Sequence, residues 1–316
     1  MRFIKKIIIR LLSVSLLKPF LKSKIFIFCF HDISDISEDH HSEYYSTEKN
    51  VFLKQLNFII KNFEIISIEQ LKTKHLLDNK KAYAVLTFDD GFYSVLSEAH
   101  PMLSKKNIPY TLFLNQSAIE KNQLWCSNVA IHKNDVDYLN AFYNNLFIDK
   151  TAANYSAFIN NKILPVDNLN YDKLEYNENK TKDKIYATKD DLKAVLKQSS
   201  LITIGNHTSN HYNLAKCSKT LQEKEIADNH QYVKDVFGIT MEHFAIPFGK
   251  KQHFNEDTLS ALAKYNYPFV YSTNPSYITT DKKSDAQVFP RIGITNQTVG
   301  EIKFYINRTL FKSINL

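Results

Sequence analysis

Tyr83-Ala84-Val85-Leu86-Thr87-Phe88-Asp89-Asp90-Gly91 is the stretch from which the fold can be read. Its first six residues carry no charge and read as a buried strand, which runs without a break into two carboxylates and a glycine. Adjacent carboxylates repel, so keeping both at a strand end requires a cation or a division of roles. Alternation along a strand aims Asp89 and Asp90 in different directions, so that one can hold a metal while the other holds a water. A solvated turn would use the same three residues, so the stretch needs company elsewhere in the chain.

That company lies on both sides. Ile25 to Phe30 is a second apolar run, ending in His31–Asp32. Leu201 to Ile204 is a third, ending in Gly205–Asn206–His207, and Phe244 to Ile246 is a fourth, followed by Pro247–Phe248–Gly249. Ile65 to Ser67, Tyr110 to Leu114, Phe269 to Ser272 and Gln287 to Arg291 also read as strands. Helical spacing falls between them, at Val51–Phe63, Ile68–Leu77, Ala99–Lys106 and Leu221–Phe237. Strands alternating with helices predict a parallel sheet, open or closed. The polar motifs all follow strands, at the ends where the active sites of such folds sit. Residues 120 to about 186, rich in Asn, Asp, Lys and Tyr, break the rhythm and read as a partly helical insertion. Thr298 with Glu301 makes a capping-box pattern that opens a C-terminal helix within 298–316.

His207 and His211, at i and i+4, can meet one metal ion if the segment is helical or tightly turned. Two histidines and an aspartate make a three-ligand site with positions left for water and substrate. Such a metal lowers the pKa of bound water, and a neighbouring carboxylate takes the proton. The stiff turn around Phe248 can present a backbone N–H to a developing oxyanion. His31 reads as a general acid tuned by Asp32 or another carboxylate, or else as a structural histidine. Trp125, the single tryptophan, is either a sugar-stacking platform or packing.

Thr87–Phe88–Asp89–Asp90–Gly91, then His207–Thr208–Ser209–Asn210–His211, then Pro247–Phe248–Gly249, in this order, resemble the polysaccharide deacetylase family of carbohydrate esterases. The resemblance spans roughly Ile25 to Ile294. It implies a distorted (β/α) barrel at 25–297, with the insertion at about 120–186. It also implies metal-dependent removal of acetyl from an N-acetylated sugar, with a divalent metal, usually Zn2+. By motif position Asp89 is the catalytic base, and Asp90, His207 and His211 are the metal ligands. Many members carry an arginine where this chain has Ala245, and a late histidine that this chain lacks after His253. The chain is more similar to the branch acting on bacterial surface polysaccharides, with His31 at the end of the first strand and a late Pro290–Arg291 pair. In that reading His31 supplies the acid, and Arg291 either orients Asp89 or binds substrate. The rival readings are a catalytically inactive glycan-binding barrel and a glycosidase. A glycosidase would have no use for the histidine pair.

Composition narrows the partners. The 44% hydrophobic and 23% charged content excludes wholesale disorder. The formal net charge is +7. Arg2, Lys5, Lys6, Arg10, Lys18, Lys22 and Lys24, with no acid among them, carry all of it. The remainder has no basic surplus for phosphate, which argues against nucleic acid. Residues 1–24 read as a basic amphipathic helix on an anionic membrane surface, with an export signal or an ordinary first helix as alternatives. The protein is expected at a membrane, on the cytoplasmic face or, alternatively, periplasmic or exported. Cys29, Cys126 and Cys217 are odd in number and far apart, giving neither a disulfide framework nor a thiolate cluster.

Overall fold

The computed structural model describes residues 18–38, 40–127, 184–280 and 288–312. The expected helix over most of residues 1–24, the body of the insertion and the last residues of 298–316 lie outside these.

The strands are β1 (Lys24–Phe30), β2 (Glu64–Ile65), β3 (Tyr83–Phe88), β4 (Tyr110–Leu114), β5 (Ile202–Asn206), β6 (His243–Ala245), β7 (Phe269–Ser272), β8 (Ile278–Thr279), β9 (Val288–Pro290) and β10 (Ile292–Gly293). They form one sheet in the order β10-β1-β3-β4-β5-β6-β7-β9, with parallel neighbours throughout that path. β2 pairs parallel with the start of β3, and β8 pairs antiparallel with the start of β1. β9 and β10 stand at opposite ends of the order, yet only Arg291 separates them in sequence. The chain therefore bridges its own seam. Pro290 pairs with Ser272 on β7, and Ile292 pairs with Phe28 on β1. This is the distorted (β/α) barrel that the family resemblance implies, and the closed form of the parallel sheet expected from the alternation.

Period-two alternation sorts the strand residues. Phe26, Phe28, Phe30, Ala84, Leu86 and Phe88 share a buried cluster with Phe52, Leu56 and Ile59 of the helix Lys49–Asn62. Ile25, Ile27, Tyr83, Val85, Phe113 and Tyr271 form a separate cluster, the barrel interior, with Ile68 and Leu71 closing its lower end. Continuing the interior parity upward gives Cys29 on β1 and His31 just after it, Thr87 on β3 and Asp89 just after it, His207 after β5 and Arg291 after β9. Gly205 belongs to the same set. A Cβ there would lie 2.4 Å from the Phe113 ring, so the interior aromatic requires a glycine opposite it.

Some elements differ from the sequence reading. β5 extends to Asn206 rather than stopping at Ile204, because pairing with β4 continues to Leu114. Ile68–Leu76 is a 3-10 run, with non-helical torsions at Thr73. The helix expected from Ala99 begins earlier, with a π turn at Val95–Ala99. Helices Lys189–Gln198 and Glu256–Lys264 and strands β8 and β10 carried too short or too polar a pattern to be read. The insertion is also narrower than 120–186. Leu124, Trp125, Ile185 and Tyr186 are all buried. Tyr186 packs 4.7 Å from Phe92, and Ala187 N–H donates to Gly91 O. These flanks belong to the barrel.

Candidate active site

Because the path strands are parallel, the turns after β1, β3, β5, β6, β7 and β9 gather at one end. A cleft of about 350 Å³ opens there, lined among others by His31, Asp89, Asp90, His207, His211 and Phe248.

Asp89 is pinned from below. Arg291 donates from Nη1 to Oδ1 and from Nη2 to Oδ2, each at 2.7 Å, a two-pronged clamp. Nη1 also reaches Thr87 Oγ1 at 3.2 Å, and the guanidinium lies 5.2 Å over the Phe113 ring. Arg291 is 0% exposed. Burial opposes the charge of Asp89, but Arg291 first and His207 second outweigh it, holding the carboxyl well below the usual range. The Cys29 thiol donates to Asp89 Oδ2 at 3.3 Å, a partner that an isolated strand cysteine gave no reason to expect.

Asp90 faces the opposite problem. Burial, and then the charge of Asp89, push its carboxyl well above the ordinary value. Its Oδ1 is buried and has no hydrogen-bond partner among the described residues. His207 Nε2 and His211 Nε2 each lie 3.5 Å from that oxygen. All three ligand atoms fall within 4.8 Å of one another. Burial lowers the pKa of both imidazoles, that of His207 to about 4, so both are neutral near pH 7, the state that ligates a metal. His207 Nδ1 lies 2.8 Å from Ala245 O, which fixes the proton there and frees Nε2. An orphaned buried carboxylate oxygen facing two imidazole lone pairs fits a divalent cation.

The three motif turns share a strained backbone. Asp90 (φ 72°), Thr208 (φ 69°), His211 (φ 57°) and Phe248 (φ 60°) are left-handed without being glycine. Each such residue costs on the order of 1–3 kcal/mol and persists only where its surroundings impose it. Here they do. His211 N–H donates to Thr208 Oγ1 at 3.0 Å, and its carbonyl accepts from Trp125 Nε1 at 3.0 Å. Asn210 donates from N and Nδ2 to the two oxygens of Glu225, at 2.8 and 2.6 Å. At the Phe248 turn, Thr273 Oγ1 donates to Phe248 O and Thr273 N to Gly249 O, both at 2.8 Å. His253 Nδ1 accepts from Lys250 N at 3.0 Å.

Glu225 lends itself to a direct check. Burial pushes its carboxyl up to about 7. The folded state then binds more protons than the unfolded one between about pH 4.3 and 7, so stability falls as pH rises through that window. Glu225→Gln is expected to flatten the slope, a difference of order 3 kcal/mol across the window, seen in urea unfolding at pH 5 and 7.5.

His31 stands at the mouth, its side chain 24% exposed, with Nε2 4.0 Å from Asp89 Oδ2. Burial lowers its pKa despite the opposing charge of Asp89. The carboxylate beside it is thus Asp89. Asp32 is turned away, accepting from Ser34, from Ser46 at 2.6 Å and from Ser94 at 2.7 Å. Burial opposes ionisation of Asp32, but hydrogen bonds from His40 and these serines hold its pKa below the ordinary value. Its hydrogen bonds tie Ser34, Ser46 and Ser94 together, and its pull on His31 is weaker than that of Asp89. Trp125 also departs from one of its expected roles. It is 5% exposed, edge-on to Phe248 at 6.1 Å, and does not line the cleft. With its ring enclosed it has no face to offer a sugar, and what it touches is the His211 turn. Phe248 packs 4.6 Å from the His211 ring and forms a cleft wall.

The sequence profile of the polysaccharide deacetylases matches residues 77–270. A search of the curated proteins matches nothing. Among solved structures, the fold resembles the Streptococcus pyogenes deacetylase PplD in complex with acetate, at 17% identity over 92% of this chain and 99% of that one, with a TM-score of 0.60. It also resembles IcaB from Ammonifex degensii, at 16% identity over 90% and 97% of the two chains, TM-score 0.60. A de-N-acetylase from Aggregatibacter actinomycetemcomitans is similar at 15% identity over 89% and 99%, TM-score 0.58. At these identities the likeness is one of fold.

Proposed function

The chain belongs to the polysaccharide deacetylase family, hydrolases that act on acetamido sugars, and from that premise we propose a metal-dependent N-deacetylase of a bacterial surface polysaccharide or its lipid-linked precursor. The observation that carries the metal dependence is the orphaned Asp90 Oδ1 facing two neutral imidazoles at 3.5 Å. Asp90, His207 and His211 would hold the cation, Zn2+ by its donor set, which when bound supplies Lewis-acid polarisation of the acetyl carbonyl and acidifies a water.

This chain's residues do the rest. Asp89, kept ionised by Arg291, takes the proton of the attacking water. A carboxylate of such low pKa is a poor resting place for that proton, and His31 lies 4.0 Å away to receive it. His31 then donates it to the departing amine as acetate leaves. A backbone N–H at the Phe248 turn would meet the developing oxyanion, the turn being held by the tethers to Thr273 and His253. The surface-polysaccharide setting is supported by the motif pattern of that branch, His31 after the first strand and the late Pro290–Arg291 pair. A membrane-carried substrate is supported by the basic segment 1–24, with the cytoplasmic face as the proposed side. No described helix is long and apolar enough to cross a membrane.

The test is acetate release from N-acetylated glucosamine oligomers, followed through metal removal and Zn2+ restoration. Activity is expected to vanish with chelator and return with the ion, and cofractionation with anionic vesicles is expected to depend on residues 1–24. Full turnover in stringently metal-free protein would sink the metal reading.

A further inference from the structure

His207 and His211 present Nε2 to the same carboxylate oxygen, but their far nitrogens meet different atoms. His207 Nδ1 meets the Ala245 carbonyl at 2.8 Å. His211 Nδ1 meets the Cys126 sulfur at 3.5 Å, within reach of a hydrogen bond to sulfur. An imidazole that offers Nε2 to a cation must keep its proton on Nδ1, and needs an acceptor there. For His211 the Cys126 sulfur stands at that place, beside the residue's own backbone. Trp125, the residue before it, holds the His211 carbonyl. One short segment thus grips a strained ligand at two points, its backbone oxygen and its ring nitrogen.

We propose that Cys126 is a positioning residue for the divalent-cation site, setting the tautomer and direction of His211 through its sulfur. The inference rests on the metal reading above and extends it to a residue outside the ligand set. It makes the two histidines unequal. His207 is backed by a fixed backbone carbonyl deep in the barrel. His211 is backed by a soft, weakly accepting side chain that lines the cleft. His211 is therefore the adjustable ligand, and the strength of cation binding depends on a thiol facing the substrate side.

Partners that orient metal-ligating histidines typically change metal affinity 10–100-fold when removed. The test titrates the metal-free full chain with Zn2+ against a chromophoric chelator, with thermal unfolding of each metal-free protein as a control for folding. Cys126→Ala is expected to weaken Zn2+ binding by about 10–100-fold while the metal-free melting temperature stays near wild type. Cys126→Ser, whose hydroxyl accepts the same N–H, is expected to recover most of the loss. Wild-type affinity in both variants overturns the inference while leaving the metal site standing. A wild-type chain that takes up no Zn2+ overturns both.

Discussion

Arg291→Met is expected to abolish measurable acetate release and to lower stability by about 3–5 kcal/mol at neutral pH. The reason is the burial of both partners. Arg291 and Asp89 are 0% and 2% exposed, and the clamp between them is two hydrogen bonds of 2.7 Å. Removing the guanidinium leaves a carboxylate that burial alone would drive to protonate, so the base loses its charge as well as its anchor. The pH dependence follows. In the wild type the depressed pKa of Asp89 contributes stability fully present above the unfolded carboxyl value, about 3.9, and lost as pH falls below it. The gap between wild type and variant is therefore expected to be widest near pH 7 and to narrow below pH 4. Pairing Arg291→Met with Asp89→Leu leaves neither charge stranded. The double variant is expected to regain most of the lost stability and none of the activity. Urea unfolding across pH, with acetate release on the same samples, checks each part. Additive losses in the double variant would contradict the clamp.

His207→Gln is expected to remove bound metal and to cut turnover by about 10³-fold or more. A Lewis acid of this kind contributes several kcal/mol to the barrier, and each 1.36 kcal/mol is a factor of ten. His207 sits lower in the barrel than His211, 1% exposed, with its Nδ1 against Ala245 O. A glutamine amide can still donate to that carbonyl, so the β5–β6 junction is expected to survive while a ligand is lost. Metal content by elemental analysis should drop from one equivalent toward none, and added Zn2+ should not restore activity. A variant with full metal and full turnover would remove His207 from the ligand set.

How much of this could be read from the chain is decided by range. Asp89, His31 and His207 continue the interior parity of strands whose apolar runs are plain, so their convergence follows from alternation alone. Asp90 and His211 do not. Both reach the site through left-handed turns at φ 72° and 57°, which no spacing rule announces. Arg291 was assigned to the base or to substrate by resemblance, and only barrel closure turns it onto Asp89. Glu225, Cys29 and Cys126 carried no signal, since each acts through a partner distant in sequence. Asp32 is only the lesser influence on His31, because neighbours at a strand end point to opposite faces. Trp125 was ambiguous because the segment around it reads as insertion although its ring packs against the site.

The bridged seam also bears on how the molecule assembles. The Asp89–Arg291 contact joins residues 202 apart, and forming it closes the loop between them along with the ring of strands. Contacts of such long separation carry a large loop-closure cost. Closing the ring of strands and anchoring the proposed base are thus one event. A chain that does not close would lack the Arg291 clamp on Asp89, and is expected to release no acetate. Truncation ahead of Val288 would leave a species with most of its strands and no means to hold Asp89 charged.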